Sequence, residues 1–300
     1  MATAETKTSA VSSELEELGL EHYVLQLELN GLTVVPPEVH GVSIDTFKTM
    51  TNLLLTKCEE LVGCKFSLNR GPHKPVSFGN SQGSVLSDES GQQSQFLIQR
   101  LTSYDRSFRD LALNPVALAL MRHLIGPKAM RFSSHNSFIK WQGEFGYGSK
   151  LGMHADQMAV PLPWGRRALT ANTNWCLTDY TLDGGALAYV PGSHREGARP
   201  SFPRAVQQAV PVEAPLGSMI VFHGATWHGA FPRKNPGMRI SIANYYRHLM
   251  VTSQEDLQGG FDRTLAEDSC NPKLFGYLAG FHDEFPYQQP NQPIPHVDTA

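Results

Sequence analysis

The 300-residue sequence is poor in cysteine, in charge and in long apolar runs. Its four cysteines (Cys58, Cys64, Cys176 and Cys270) are scattered and form no CxxC pair. That spacing argues against a zinc–thiolate site and against a disulfide framework, and leaves reduced thiols of a cytoplasmic protein. Charged residues make up only 18% and the formal net charge is −3, so a disordered polyelectrolyte and a general nucleic-acid binder are both disfavoured. The longest apolar runs, such as 116–121, fall far short of the roughly 18 residues of a membrane span. The first residues show neither a basic start nor an apolar stretch of secretory type, and the last four, VDTA, match no targeting address. The expectation is a cytoplasmic protein, monomer or homodimer, with no nucleic-acid or membrane partner.

What the chain does have is 26 glycines, 20 prolines and 12 histidines. The glycine and proline content exceeds the roughly 12% of an average protein and suits a turn-rich β core. Residues 44–62 place Phe47, Met50, Leu54, Cys58 and Leu61 at helical spacing, with Gly63 as the stop. A second helical stretch is expected over about 96–125, its last helix punctuated by Asn114 as N-cap, Pro115 at the first position and Gly126 past the end. Between them, 63–92 is rich in Gly, Ser, Asn and Gln and reads as a long loop, a disordered connector or an active-site lid. After Gly126 the pattern turns to short strands at 129–141, 172–178, 186–190, 218–223 and 238–246, with Asp183-Gly184-Gly185 as a hairpin signal. Helices followed by strands imply one α+β domain. Its helical part would cover about 15–126, its β core about 129–250 and a surface-wrapping extension 251–300.

With 12 histidines and 12 aspartates, chance alone supplies about half an His-x-Asp, so the motif gains meaning only from context. Two occur. His296-Val297-Asp298 lies in a proline-rich tail with no later histidine. His154-Ala155-Asp156 follows a glycine-rich loop and precedes the later β segments. In extended chain, residues i and i+2 share a face, so His154 and Asp156 present imidazole and carboxylate together. A two-histidine, one-carboxylate triad needs a third ligand from a distant strand, and His194, His223, His228 and His248 are the candidates. His223 and His228 are five apart, so at most one of them would face the same centre.

His154-x-Asp156, then GGALAYVPGSH, then WHGAFPRKNPGMRIS together resemble the phytanoyl-CoA dioxygenase family of Fe(II)- and 2-oxoglutarate-dependent oxygenases. The resemblance runs over roughly 15–250 and is strongest from 150 to 247. It implies a double-stranded β-helix (jelly roll) with helices packed on one sheet. It also implies Fe(II) as metal, with 2-oxoglutarate and O₂ as co-substrates. His154, Asp156 and His228 become the metal ligands, with His223 packed nearby. Arg239, eleven residues after His228, is expected on the distal carboxylate of 2-oxoglutarate, where a guanidinium fork pairs better than an ammonium. Ser241 shares its strand face and adds a hydroxyl. Lys140 and Trp175 are secondary candidates for the same pocket. Two family features are missing: Gly184-Gly185-Ala186-Leu187 lacks a threonine that some relatives carry there, and Leu151 stands where several have glutamine. Asp156 separates the chain from related halogenases, which replace the carboxylate with Gly or Ala. The implied reaction is oxidation, by hydroxylation first of all, of a C–H bond in a small or medium-sized metabolite such as a natural-product intermediate, with succinate and CO₂ formed. Arg166 and Arg167 read as a solvated basic pair. The competing readings are a cupin-type metal enzyme that does not use 2-oxoglutarate, which would have no need of Arg239 and Ser241, and a non-catalytic jelly-roll binding protein.

Overall fold

The computed structural model describes residues 10–76, 94–143 and 150–281. Its strands are β1 (Leu32–Val35), β2 (Phe66–Ser67), β3 (Gly71–Pro72), β4 (Gln95–Ile98), β5 (Met130–Gly143), β6 (Thr170–Cys176), β7 (Leu187–Tyr189), β8 (Val210–Val212), β9 (Met219–His223), β10 (His228–Ala230) and β11 (Arg233–His248). Six of them form a sheet in the order β1-β9-β6-β11-β5-β4, and three form a facing sheet in the order β10-β7-β8. Every pairing is antiparallel. The result is the α+β jelly roll implied by the sequence, with helices covering one sheet.

Strand alternation sorts the side chains into two cores. Trp175 and Cys176 are adjacent and both fully buried, yet they belong to different clusters. Trp175, Ile139, Ile240, Ile242 and Tyr246 face outward onto the helices, against Phe47, Leu111, Leu118 and Phe275. Cys176, Ile220 and Phe222 face inward and meet Leu187 and Val212 of the small sheet. The helix Ile44–Val62 forms as its stripe demands. Phe47, Met50, Leu54 and Cys58 are buried, Ser43 Oγ accepts from Thr46 N at 3.1 Å, and Gly63 closes it in the left-handed region at φ 69°. The helix Pro115–Ile125 starts where Asn114 Oδ1 accepts from Ala117 N at 3.1 Å. An uncapped start typically costs about 1 kcal/mol.

Three expectations need correction. The segment from Phe96 to Ile98 is not helical; it belongs to β4, whose four residues are all buried and pair along β5. A short continuous apolar run has no periodicity to separate edge strand from helix. Likewise β1, inside the helical third, pairs with β9 and forms the opposite edge. The turn at Asp183-Gly184-Gly185 does not close a hairpin, because β6 and β7 lie in different sheets and the turn crosses between them. Gly185 there has φ 80°, and a Cβ on it would meet Arg233 Cα at 3.2 Å. The larger part of the suggested lid, the loop 144–147, the proline-rich tail and the His296/Asp298 pair lie outside the described residues.

Candidate metal centre

The small sheet is extended at its edge by an isolated bridge between His154 and His228. Each residue's N–H donates to the other's carbonyl at 2.8 Å, which puts the two imidazoles side by side with ring centroids 4.2 Å apart. This close approach requires Gly229, since a Cβ there would sit 2.1 Å from Leu151 O. Leu151 itself is held at φ 52°, a strained setting for a non-glycine residue and one that clusters at functional loops. Met153, Ala155 and Trp227 are the chain neighbours of the histidines and of Asp156. They point the other way, into a third small core with Trp164 and Val190. The ligand loop is therefore anchored by the residues between its polar groups.

One ligand atom from each of His154, Asp156 and His228 lies within 4.8 Å of the others. His154 Nε2 and His228 Nε2 are 3.5 and 3.6 Å from Asp156 Oδ1. Two donors at about 2.1 Å from one ion, at a right angle, are about 3 Å apart, so a small closure brings the set to metal distance. The tautomers are set by the backbone. His154 Nδ1 and His228 Nδ1 donate to the carbonyls of Gly152 at 2.7 Å and Thr226 at 2.9 Å, leaving both Nε2 lone pairs for the centre. Burial pushes His228 down to about 4, against the opposing pull of Asp156, so this imidazole is neutral as a ligand must be. For Asp156 burial acts upward, but His228, His154 and Asn172 outweigh it and hold the carboxyl below its ordinary value. Two imidazoles and one carboxylate converging on one point are the donor set of a non-haem Fe(II) site with open positions, and the residues fit that ion.

The inward face of the large sheet continues from this centre. Cross-strand registers align Phe222, Asn172, Tyr245 and Ser134 in one row and Ile220, Asn174, Ala243 and Asn136 in the next. Ser241 and Arg239 lie further along β11 on the same face, Arg239 opposite Lys140. Arg239 is buried. Its Nη1 donates to Gly185 O at 3.0 Å and its guanidinium stands over the Tyr180 ring at 4.8 Å. Arg239 Nε and Ser241 Oγ are buried with no hydrogen-bond partner among the described residues. Lys140 Nζ donates to Phe231 O at 2.7 Å. Burial, then Arg239 and Arg233, hold Lys140 well below the usual lysine range. A buried guanidinium N–H and a hydroxyl without partners, beside a lysine, are the groups that would suit the distal carboxylate of a 2-oxo diacid.

The structure does not bring Trp175 to this site. It occupies the opposite face of β6, against Phe47 and His40, and donates Nε1–H to Asn244 Oδ1 at 2.8 Å. One residue's difference in strand position changes the face, and Asn174 holds the inward place. His223 also stands apart from the centre. It packs on His194 with centroids 5.4 Å apart and accepts from Ala225 N at Nδ1. Sequence reading missed Asn172, Tyr245 and Tyr180. Polar Asn172 and Asn174 at alternate places in a strand otherwise destined for burial were the available signal.

Comparison with known proteins follows the same direction. The family model described as Phytanoyl-CoA dioxygenase (PhyH) matches residues 80–241. The dioxygenase af480 of Aspergillus fumigatus is 34% identical over 130 residues, 43% of this chain and 40% of that protein. The dioxygenase aneA of Aspergillus aculeatus is 27% identical over 183 residues, 59% of this chain and 60% of that protein. The chain thus matches less than two thirds of the length of these relatives. Among solved structures, the epimerase SnoN in complex with Fe3+, alpha ketoglutarate and nogalamycin RO superposes with a TM-score of 0.56 at 17% identity, over 77% of this chain and 84% of that one. HygX from Streptomyces hygroscopicus, with nickel and 2-oxoglutarate bound, gives 0.54 at 13% identity, over 77% and 88%. At such identities the superpositions speak for the fold.

Proposed function

The chain belongs to the phytanoyl-CoA dioxygenase family, and from that premise we propose that it is an Fe(II)- and 2-oxoglutarate-dependent dioxygenase that hydroxylates a C–H bond of a small or medium-sized metabolite. The observation that carries this reading is the convergence of one ligand atom each from His154, Asp156 and His228 within 4.8 Å. Fe(II), when bound, supplies the activation of O₂ at the expense of 2-oxoglutarate, which leaves as succinate and CO₂. The protein supplies the rest. His154 and His228 offer Nε2, their Nδ1–H groups tied to backbone carbonyls, and Asp156 offers Oδ1. Arg239 and Ser241, with Lys140 beside them, receive the far carboxylate and so orient the 2-oxo acid with its other end toward the triad. The buried guanidinium of Arg239 acts on that carboxylate through a medium with little water, where charge-assisted bonds are strong.

A natural-product intermediate is the substrate class favoured here, in keeping with the two nogalamycin-pathway enzymes SnoN and SnoK among the structural neighbours. We place the protein in the cytoplasm as a monomer or homodimer acting on a free small molecule. No helix among the described residues is long and apolar enough to cross a membrane. Anaerobic addition of Fe(II) and then 2-oxoglutarate is expected to give a weak visible charge-transfer band. Bound iron without any band on adding the 2-oxo acid would sink the proposal. Incubating the loaded enzyme with a metabolite extract, and finding the component consumed in step with succinate, then identifies the substrate.

A further inference from the structure

Asp156 is held at two points by residues facing each other across a strand pair. Asn172 on β6 and Tyr245 on β11 are register partners on the inward face. Asn172 Nδ2 donates to Asp156 Oδ2 at 2.6 Å, and Tyr245 Oη donates to the Asp156 backbone carbonyl at 2.7 Å. The other carboxylate oxygen, Oδ1, is the one directed at both imidazole Nε2 atoms. An ionised carboxylate only accepts, so the Asn172 amide has one allowed orientation, with its NH₂ on Asp156. Its Oδ1 is then buried and without a partner among the described residues. A buried amide that leaves its own carbonyl unsatisfied is an unfavourable arrangement unless its donor half is put to use.

From this geometry we propose that Asn172 is a positioning residue that keeps Asp156 a one-oxygen ligand, reserving the remaining coordination positions for the 2-oxo acid and O₂. The proposal rests on the reading of the site as an iron and 2-oxoglutarate centre. A facial triad leaves three positions open, and the chelating 2-oxo acid takes two. A carboxylate free to chelate through both oxygens consumes one of the three, and the co-substrate and O₂ then compete for what is left. Asn172 prevents this by occupying Oδ2. Tyr245 holds the backbone and has no bearing on which oxygen is offered, so the two members of the clamp have separable effects.

The test uses the full chain loaded with Mn(II) in place of iron, a redox-silent probe whose bound waters are counted by water-proton relaxation. The wild-type protein is expected to bind one Mn(II) and to lose most of the relaxation enhancement when 2-oxoglutarate is added. In Asn172→Leu the enhancement without 2-oxoglutarate drops by about a third, one water of three. The 2-oxoglutarate dissociation constant rises by about tenfold or more, the usual scale for losing an outer partner of a ligand. Asn172→Ala, which removes the donor without adding apolar bulk, gives the same signature should the leucine variant fail to fold. Tyr245→Phe leaves the enhancement at the wild-type value. Enhancement equal to wild type together with 2-oxoglutarate affinity within threefold of wild type in both Asn172 variants overturns the proposal. So does a drop in Tyr245→Phe equal to that in Asn172→Leu, since both effects would then reflect loosening of the loop. A wild-type protein that binds no Mn(II), or whose bound Mn(II) ignores 2-oxoglutarate, overturns the proposed function itself, whatever the variants do.

Discussion

Replacing Arg239 with methionine is expected to weaken 2-oxoglutarate binding by more than a hundredfold. Nη1 of Arg239 is committed to Gly185 O, which leaves Nε–H and the remaining Nη protons as the fork for a carboxylate. Each hydrogen bond to a charged group is worth about 1.5–3 kcal/mol, so losing two costs at least about 3 kcal/mol. At about 1.4 kcal/mol per factor of ten, that is more than a hundredfold. The bond to the buried Gly185 carbonyl is lost from free and bound protein alike and cancels from the binding difference. Lys140 complicates the result in a predictable way. It faces Arg239 across β5 and β11, and Arg239 is one of the charges that hold its ammonium form down. With Arg239 gone, Lys140 regains proton affinity and stands in for part of the lost charge. The residual affinity of Arg239→Met should therefore fall as pH rises, and do so below the ordinary lysine range, because burial, the larger cause, remains. The wild-type affinity, carried by a permanent guanidinium, should change far less. Arg239→Lys keeps the charge without the fork and is expected near tenfold, about 1.4 kcal/mol. The assay is anaerobic titration of the Fe(II) protein with 2-oxoglutarate, followed by the visible band and by calorimetry. An Arg239→Met protein that folds and binds within threefold of wild type would refute the assignment of the anion pocket.

Three further outcomes are expected. His228→Ala abolishes oxygen-dependent succinate formation whereas His223→Ala retains some, and the reverse pattern would move the ligand five residues upstream. Burial, then the neighbouring His194, push His223 down to about 4 from an ordinary 6.5. The fold therefore accepts its neutral form, and the associated stability is complete above about pH 6.5 and drains away as pH falls toward 4. His223→Gln should lose about 2 kcal/mol less than wild type between about pH 7.5 and 4.5 in urea unfolding, and equal losses would show that His223 is not a source of acid sensitivity. Gly229→Ala should lower both Mn(II) affinity and melting temperature, because its Cβ would press on Leu151 O, which is fixed by accepting from Ala230 N at 3.0 Å. Overpacking of this kind costs about 1–3 kcal/mol, and wild-type values for both readouts would show that the loop yields.

The parts legible in the sequence were those whose signal is local. The stripe and caps of Ile44–Val62 and Pro115–Ile125 are written in spacings of three and four and in single capping residues, and both helices end where those residues stand. The pair His154-x-Asp156 is two residues apart, and its shared face follows from extended geometry alone. The family resemblance, carried by motif order, supplied the candidate partner His228 and the candidate cation Arg239, eleven residues apart. What sequence could not supply was pairing. Whether 95–98 is helix or edge strand depends on β5, forty residues away, offering an unpaired edge. Trp175 reads equally well on either face of its strand until the register with β11 is known.

That same dependence explains why the groups that hold the candidate ligands carry no sequence signal while the candidate ligands themselves do. A metal ligand must be one of a few residue types, so composition and motif betray it. A residue that orients a ligand needs only a donor in the right place, and asparagine or tyrosine in a strand is unremarked. Asn172 and Tyr245 lie 73 positions apart in the chain and become partners only when β6 and β11 pair. Gly229 is likewise an ordinary glycine until the bridge between His154 and His228 brings Leu151 O against its Cα. The chemistry of the centre is thus encoded twice: locally in the residues that would touch the metal, and non-locally in a sheet register that fixes how they touch it. A one-residue slip of β6 against β11 would leave all three candidate ligands in place and turn Asn172 to the helical side, away from Asp156. For this reason changes that disturb register, such as proline or glycine insertions in β6, are expected to damage co-substrate binding before they dissolve the metal site.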